Sequence, residues 1–114
     1  MRITNGTKGT ELASDARIAH SYASRMVGLL GKSALPPGEA LVIEPCTSVH
    51  TAFMRFTIDV LYVDPSRRVV KAVSNLRPFR FSGVRRGKCS VIELPSGAIA
   101  ATGTTRGDQL VFDS

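Results

Sequence analysis

Cysteine is scarce in this sequence. Cys46 and Cys89 are the only two, too few for a disulfide scaffold, and in a reducing compartment both stay thiols. No Cys-x-x-Cys pair occurs, which excludes a zinc ribbon or a thioredoxin motif. Long hydrophobic runs are also missing: no apolar stretch approaches the ~18 residues that span a bilayer, so no membrane span is expected. The first ten residues, Met1 to Thr10, are polar and glycine-bearing, with no hydrophobic core of a secretory signal. Read as the natural start, they place the protein in the cytoplasm. Internal repeats, linkers and low-complexity segments are absent as well.

Acidic residues are missing where basic ones gather. Between Pro65 and Lys88 lie Arg67, Arg68, Lys71, Arg77, Arg80, Arg85, Arg86 and Lys88, with no Asp or Glu among them. That stretch holds eight of the 15 cations, leaving seven beside all nine anions in the rest of the chain. The net charge of +6 is therefore local, and a local positive field favours anionic partners and weakens in salt.

What is present fits one folded domain. At 114 residues there is room for one core, and 43% hydrophobic content argues against disorder. Residues 1–10 read as a flexible tail and 11–114 as a single globular domain, taken as a monomer. Glu11 to Ala19 reads as a first strand of poor alternation. Ser21 is an N-cap for apolar positions Tyr22, Met26, Leu29 and Leu30, and Gly31 is a C-terminal cap, so a helix is predicted over 21–30. Pro36-Pro37-Gly38 forces a loop.

Ala40 to Ile43 reads as a core strand and Phe53 to Phe56 as another. Ile58 to Val63 has apolar residues on both parities, the mark of a strand buried on both faces. Asp64-Pro65-Ser66 is a turn, with Arg68 to Val73 returning as a hairpin. Val91 to Leu94 is a further strand, Ala98 to Ala101 one helical turn, and Gln109 to Phe112 the closing strand after Gly107-Asp108. The prediction is an α+β, β-rich domain: a curved sheet or half-open barrel of six or seven short strands with one packed helix.

Arg25-Met26-Val27-Gly28-Leu29-Leu30-Gly31, Cys46 through Val60, Asp64, Glu93-Leu94-Pro95-Ser96-Gly97 and Gly107-Asp108 together resemble the domain of unknown function 192 family. The resemblance is closest to the branch with a Cys-x-x-x-His-Thr pattern followed by Met-Arg-Phe-x-Ile-Asp. It implies a compact β-rich fold with one conspicuous helix and the Met54-Arg55 pair as a shared feature. It implies no established activity.

The candidate catalytic residues are Cys46, His50 and Asp59. An imidazole beside a thiol is the usual way to populate thiolate at neutral pH. In an extended strand the two would stand ~13 Å apart, but Pro45 and Thr47-Ser48 favour a turn that brings them together. Asp59 or Glu44 would then orient the imidazole. The plain alternative makes Cys46 a small buried hydrophobe and His50 a hydrogen-bonding partner of the backbone. Two or three mixed ligands are a poor zinc signature, so no metal and no cofactor are expected. Met54 reads as core and Arg55 as an anion contact or a partner for an acid. Asp59, inside an apolar run, must be hydrogen-bonded or paired with Arg25 or Arg55.

Three functions compete. The first is a non-enzymatic binding domain for a small molecule or protein, with Cys46, His50, Met54, Arg55 and Asp59 around its pocket. The second is a thiol-dependent or metal-assisted enzyme in the same place. The third is binding of nucleic acid or another polyanion through residues 67–88, with Arg77, Arg80, Arg85 and Arg86 as the contacts and Phe79 and Phe81 as stacking faces.

Overall fold

A computed structural model of the chain describes residues 1–19, 35–44, 48–50, 56–78, 81–83 and 89–113, with the backbone alone at 48–50, 81 and 82. Ten strands and one short helix lie among them. The strands are β1 (Arg2–Asn5), β2 (Thr10–Ala13), β3 (Asp15–Ala19), β4 (Glu39–Ile43), β5 (Ser48–His50), β6 (Ile58–Val63), β7 (Val69–Leu76), β8 (Phe81–Gly83), β9 (Ser90–Pro95) and β10 (Leu110–Asp113), and the helix is α1 (Ala98–Thr102). They form a five-stranded sheet in the order β3-β4-β9-β6-β7, a three-stranded sheet β10-β1-β2 and a two-stranded ribbon β5-β8.

The β-rich, curved architecture is the one expected, but with more strands. Two of the extra ones come from the amino-terminal end. Residues 2–5 are not a tail: β1 is the central strand of the three-stranded sheet, between β10 and β2, and Ile3 is fully buried. Its sequence carries one large apolar side chain, so pairing on both sides, rather than local propensity, makes it a strand. The segment from Glu11 to Ala19 is two strands in two different sheets, broken at Ser14, whose N–H bonds to Gly38 O at 2.9 Å. The break explains the poor alternation. The helix over 21–30 lies outside the described residues, as does the strand proposed from Phe53, although Phe56 itself falls in a bend. β3 and β4 pair in parallel, and a parallel pair requires a crossover of a dozen or more residues, which 20–38 supplies.

β6 lies inside the five-stranded sheet, between β9 and β7. All six of its residues are buried, as apolar residues on both parities predicted, and each fully buried Val, Leu or Ile contributes about 1.5–3 kcal/mol. Its neighbours β7 and β9 are both antiparallel. The sheet has a core on each face. On the first, Leu61, Val63, Ile92 and Leu94 pack with Ile3, Leu12, Leu110 and Ile99, so the three-stranded sheet and α1 cover this face. On the second, Ile58, Val60, Tyr62, Ile43 and Val91 form another cluster with Leu35 and Leu76.

The two sheets meet at two seams. Met1 O accepts from Ala16 N on β3 at 2.7 Å, and Asp108 O accepts from Val69 N on β7 at 2.9 Å. An isolated bridge joins Arg68 to Gln109. The ladders are discontinuous at both seams, so the barrel is half-open.

Candidate functional site

Asp59 is the second residue of β6 and has no exposed surface. It pairs with Leu94 of β9, a residue of the first-face core. One carboxylate oxygen accepts from Asn75 N at 2.9 Å, the other from Ile99 N at 2.8 Å. Each bond closes a local defect. The β6–β7 register slips between Ile58 and Val60, leaving Ser74 and Asn75 opposite the single residue Asp59. Asn75 there takes a left-handed φ of 57°, a conformation asparagine tolerates better than most residues. Helix α1 begins after Gly97 with no side-chain cap of its own, so the carboxylate from β6 occupies one of its orphan N–H groups. The expectation that a carboxylate buried in an apolar run must be hydrogen-bonded holds, with backbone donors as its partners. Arg25 and Arg55 lie outside the described residues.

The strand carrying His50 belongs to the other side of the sheet. β5 pairs with β8, Ser48 opposite Gly83. Gly83 O accepts from Lys71 Nζ at 2.7 Å. Lys71 is the cross-strand partner of Tyr62, and its ammonium lies 5.8 Å from the centre of the Tyr62 ring. Tyr62 belongs to the second-face core. The ribbon therefore stands over the second face, while the Asp59 carboxylate is bound on the first. Of the other pocket residues, Cys46, Met54 and Arg55 lie outside the described residues, and for His50 the backbone alone is described.

A second buried acid escaped the sequence reading as a site residue. Glu93 has no exposed surface and pairs with Val60 and Leu41, which puts it on the second face, the side of β5. The signal that singled out Asp59, an acid inside an apolar run, is equally present in Val91-Ile92-Glu93-Leu94.

The basic stretch is partly committed to the fold. Arg67 Nη1 bonds Glu44 Oε1 at 2.8 Å, and its guanidinium lies 4.2 Å from the centre of the Phe112 ring. Arg68 Nη1 donates to Gly107 O at 2.6 Å, and Lys71 is bound to Gly83 as above. Glu44, an alternative orienter of the imidazole, is thus the partner of Arg67. Arg77 is exposed beside a shallow depression of about 280 Å³ lined by Val73, Ser74, Asn75, Leu76 and Arg77 itself. Phe79, Arg80, Arg85, Arg86 and Lys88 lie outside the described residues.

Two further groups have shifted acidities. Cys89 is buried, and burial first, then the charge of Asp64, pushes its thiol up. Asp108 is 4% exposed. Hydrogen bonds from the side chains of Asn5 and then Lys8 hold its carboxyl well below the usual range. Among the described residues no cluster of His, Cys, Asp and Glu could hold a metal ion, and no helix is long and apolar enough to cross a membrane.

The chain resembles known proteins over nearly its whole length. The model of the DUF192 family, described as an uncharacterized ACR, matches residues 3–112. A UPF0127 protein of Pyrococcus furiosus is 32% identical over 116 residues, covering 97% of each chain. One from Pyrococcus horikoshii is 33% identical, covering 95% of this chain and 96% of its own. A crystal structure of a protein of unknown function from Novosphingobium aromaticivorans matches with a TM-score of 0.82 at 21% identity, covering 98% of this chain and 84% of that one. At that identity the likeness speaks for the fold alone.

Proposed function

The chain belongs to the domain of unknown function 192 family, and for this member we propose a binding role without bond-making chemistry. Its ligand surface is the β5 side of the five-stranded sheet, where Cys46, His50, Met54 and Arg55 make the contacts. Asp59 serves that surface from behind, by fixing the β7 bulge and the start of α1. The observation that carries this reading is the engagement of Asp59. A thiol–imidazole pair needs a third group to orient the ring. The acid nominated for that task is spent on two backbone N–H groups on the opposite face, and Glu44 is spent on Arg67. A polar constellation whose two expected acids are engaged elsewhere still serves recognition, in which a few placed polar groups fix a ligand in a largely apolar pocket.

The test is an NMR titration that follows the Met54 methyl and the His50 imidazole. Acetate, a phosphate monoester and an alkylamine are added in turn. One class is expected to shift both signals in wild type and neither in Arg55→Gln. Failure of all three to move either signal contradicts the reading.

Polyanion binding through Arg77, Arg80, Arg85 and Arg86 is the second reading, supported by exposed Arg77 at the β7 depression. Against it, Arg67, Arg68 and Lys71 already have partners inside the fold, which reduces the charge left for phosphate. Fluorescence anisotropy with a ~20-nucleotide single strand, longer than a typical ~4–16-nucleotide site, decides it. A dissociation constant well tighter than ~10⁻⁴ M at physiological salt, lost in the fourfold Gln variant, would favour this reading over the first.

A further inference from the structure

The Asn5-Gly6 pair ends β1 inside a buried polar clasp that ties the amino-terminal segment to the 104–109 loop. Asn5 has no exposed surface. Its Nδ2 donates to Thr104 Oγ1 at 3.0 Å and Asp108 Oδ2 at 2.9 Å, and its Oδ1 accepts from Lys8 N at 3.0 Å. Lys8 Nζ reaches the same Asp108 carboxylate at 2.9 Å. The backbone N–H of Gly6 donates to Gln109 O at 2.8 Å.

Asn-Gly is chemically labile, because glycine has no side chain to shield its nitrogen. That nitrogen, on losing its proton, can attack the Asn side-chain carbonyl carbon, closing a succinimide ring as the amide leaves as ammonia. Water then opens the ring to aspartate or isoaspartate. One water enters, one ammonia leaves, and nothing is oxidised. In the folded protein both ends of this reaction are restrained: the attacking N–H is bonded to Gln109 and the leaving amide to two acceptors. The backbone does not demand glycine at this place. Gly6 is not among the positive-φ residues, and an added Cβ would meet nothing closer than 3.4 Å.

The product cannot take the place of the reactant. A carboxylate at position 5 would face the Asp108 carboxylate at hydrogen-bond distance in a buried site, where two like charges oppose each other. We propose that Asn5 is a deamidation site guarded by the clasp: it reacts with water only in molecules whose β1–β10 pairing has opened, and its conversion then prevents the clasp from re-forming. The pair thus marks opened chains irreversibly.

The test is the rate of Asn5 conversion in the intact protein, read by mass spectrometry of the peptide that contains it. Asn75, followed by the branched Leu76, is the internal comparison. Wild type in mildly alkaline native buffer is expected to convert at least ~100-fold more slowly than in urea, as a closed state with several kcal/mol of opening free energy requires. Equal rates in the two conditions would overturn the proposal. Thr104→Val, folded by circular dichroism, is expected to raise the native rate on the order of tenfold, because removing a buried partner lowers the opening free energy; Lys8→Ala replaces it if that variant does not fold. No acceleration in a folded variant would count against the guard. Asn5→Asp is expected to unfold at lower urea than wild type near neutral pH, and an unchanged midpoint would overturn the one-way step.

Discussion

Removing the carboxylate of Asp59 leaves the N–H of Ile99 buried without a partner, while that of Asn75, an exposed residue, turns to water. A buried orphan costs about 1–3 kcal/mol, so Asp59→Ala is expected to lose about that much stability, measured by urea unfolding. Asp59→Asn keeps an oxygen for one of the two donors and should lose less. An Asp59→Ala protein as stable as wild type would remove the structural role given to this residue. Asp108 makes a different demand, on pH. Its pKa is lowered in the folded state, so its stabilisation is complete above the ordinary Asp value of about 3.9 and is lost as pH falls below it. Between pH ~5 and ~2 the urea midpoint of wild type should therefore fall more steeply than that of Asp108→Asn. Parallel curves would show that the clasp does not titrate.

The turn between β6 and β7 shows how an element can be legible while its fastening is not. Asp64 O accepts from Arg67 N at 2.9 Å, and Asp64 Oδ1 takes the N–H groups of Ser66 and Arg68, as Asp at a turn start commonly does. Hence Asp64-Pro65-Ser66 announced the hairpin, and the paired strands follow. The sequence does not announce that Arg67 adopts φ 66°, a region that suits glycine. Its side chain explains its presence, through Glu44 and the ring of Phe112. Arg67→Gly relieves the backbone and loses the side-chain contacts, while Arg67→Ala loses the contacts and keeps the strain. The Ala variant should be the less stable by about 1 kcal/mol. The reverse order would mean that the strain assigned to Arg67 is not there.

On the scale of the molecule, what could be read was whatever burial writes locally. The double-parity run of β6 forecast a strand sealed on both faces, and Pro95-Ser96-Gly97 forecast the end of β9 and the start of α1. What could not be read depends on partners distant in the chain. β1 is a strand because β10 and β2 flank it, and Arg2-Ile3-Thr4-Asn5 alone gives no sign of that. The density of charge from Pro65 to Lys88 read as one positive field for anionic partners, yet three of those cations bond to Glu44, Gly107 and Gly83. For the pocket, sequence spacing suggested that Asp59 and His50 could share a site. Strand alternation was legible too, but the sequence does not tell that the Asp59 carboxylate is bound on one face of the sheet and the Lys71–Gly83 contact of the β5–β8 ribbon lies on the other.

The central claim is that Cys46 belongs to a binding surface and is not a nucleophile activated by His50. The pH dependence of Cys46 alkylation by iodoacetamide tests it most directly, with Cys89 as the internal comparison in the same molecule. Cys89 should react slowly, because burial shields its thiol and pushes its pKa up. For Cys46 the account predicts a rate that climbs toward the ordinary thiol pKa of about 8.5 and is unchanged by His50→Ala. A Cys46 rate already at its plateau near pH ~6, as a thiolate paired with imidazolium gives, and slowed by His50→Ala, would contradict it.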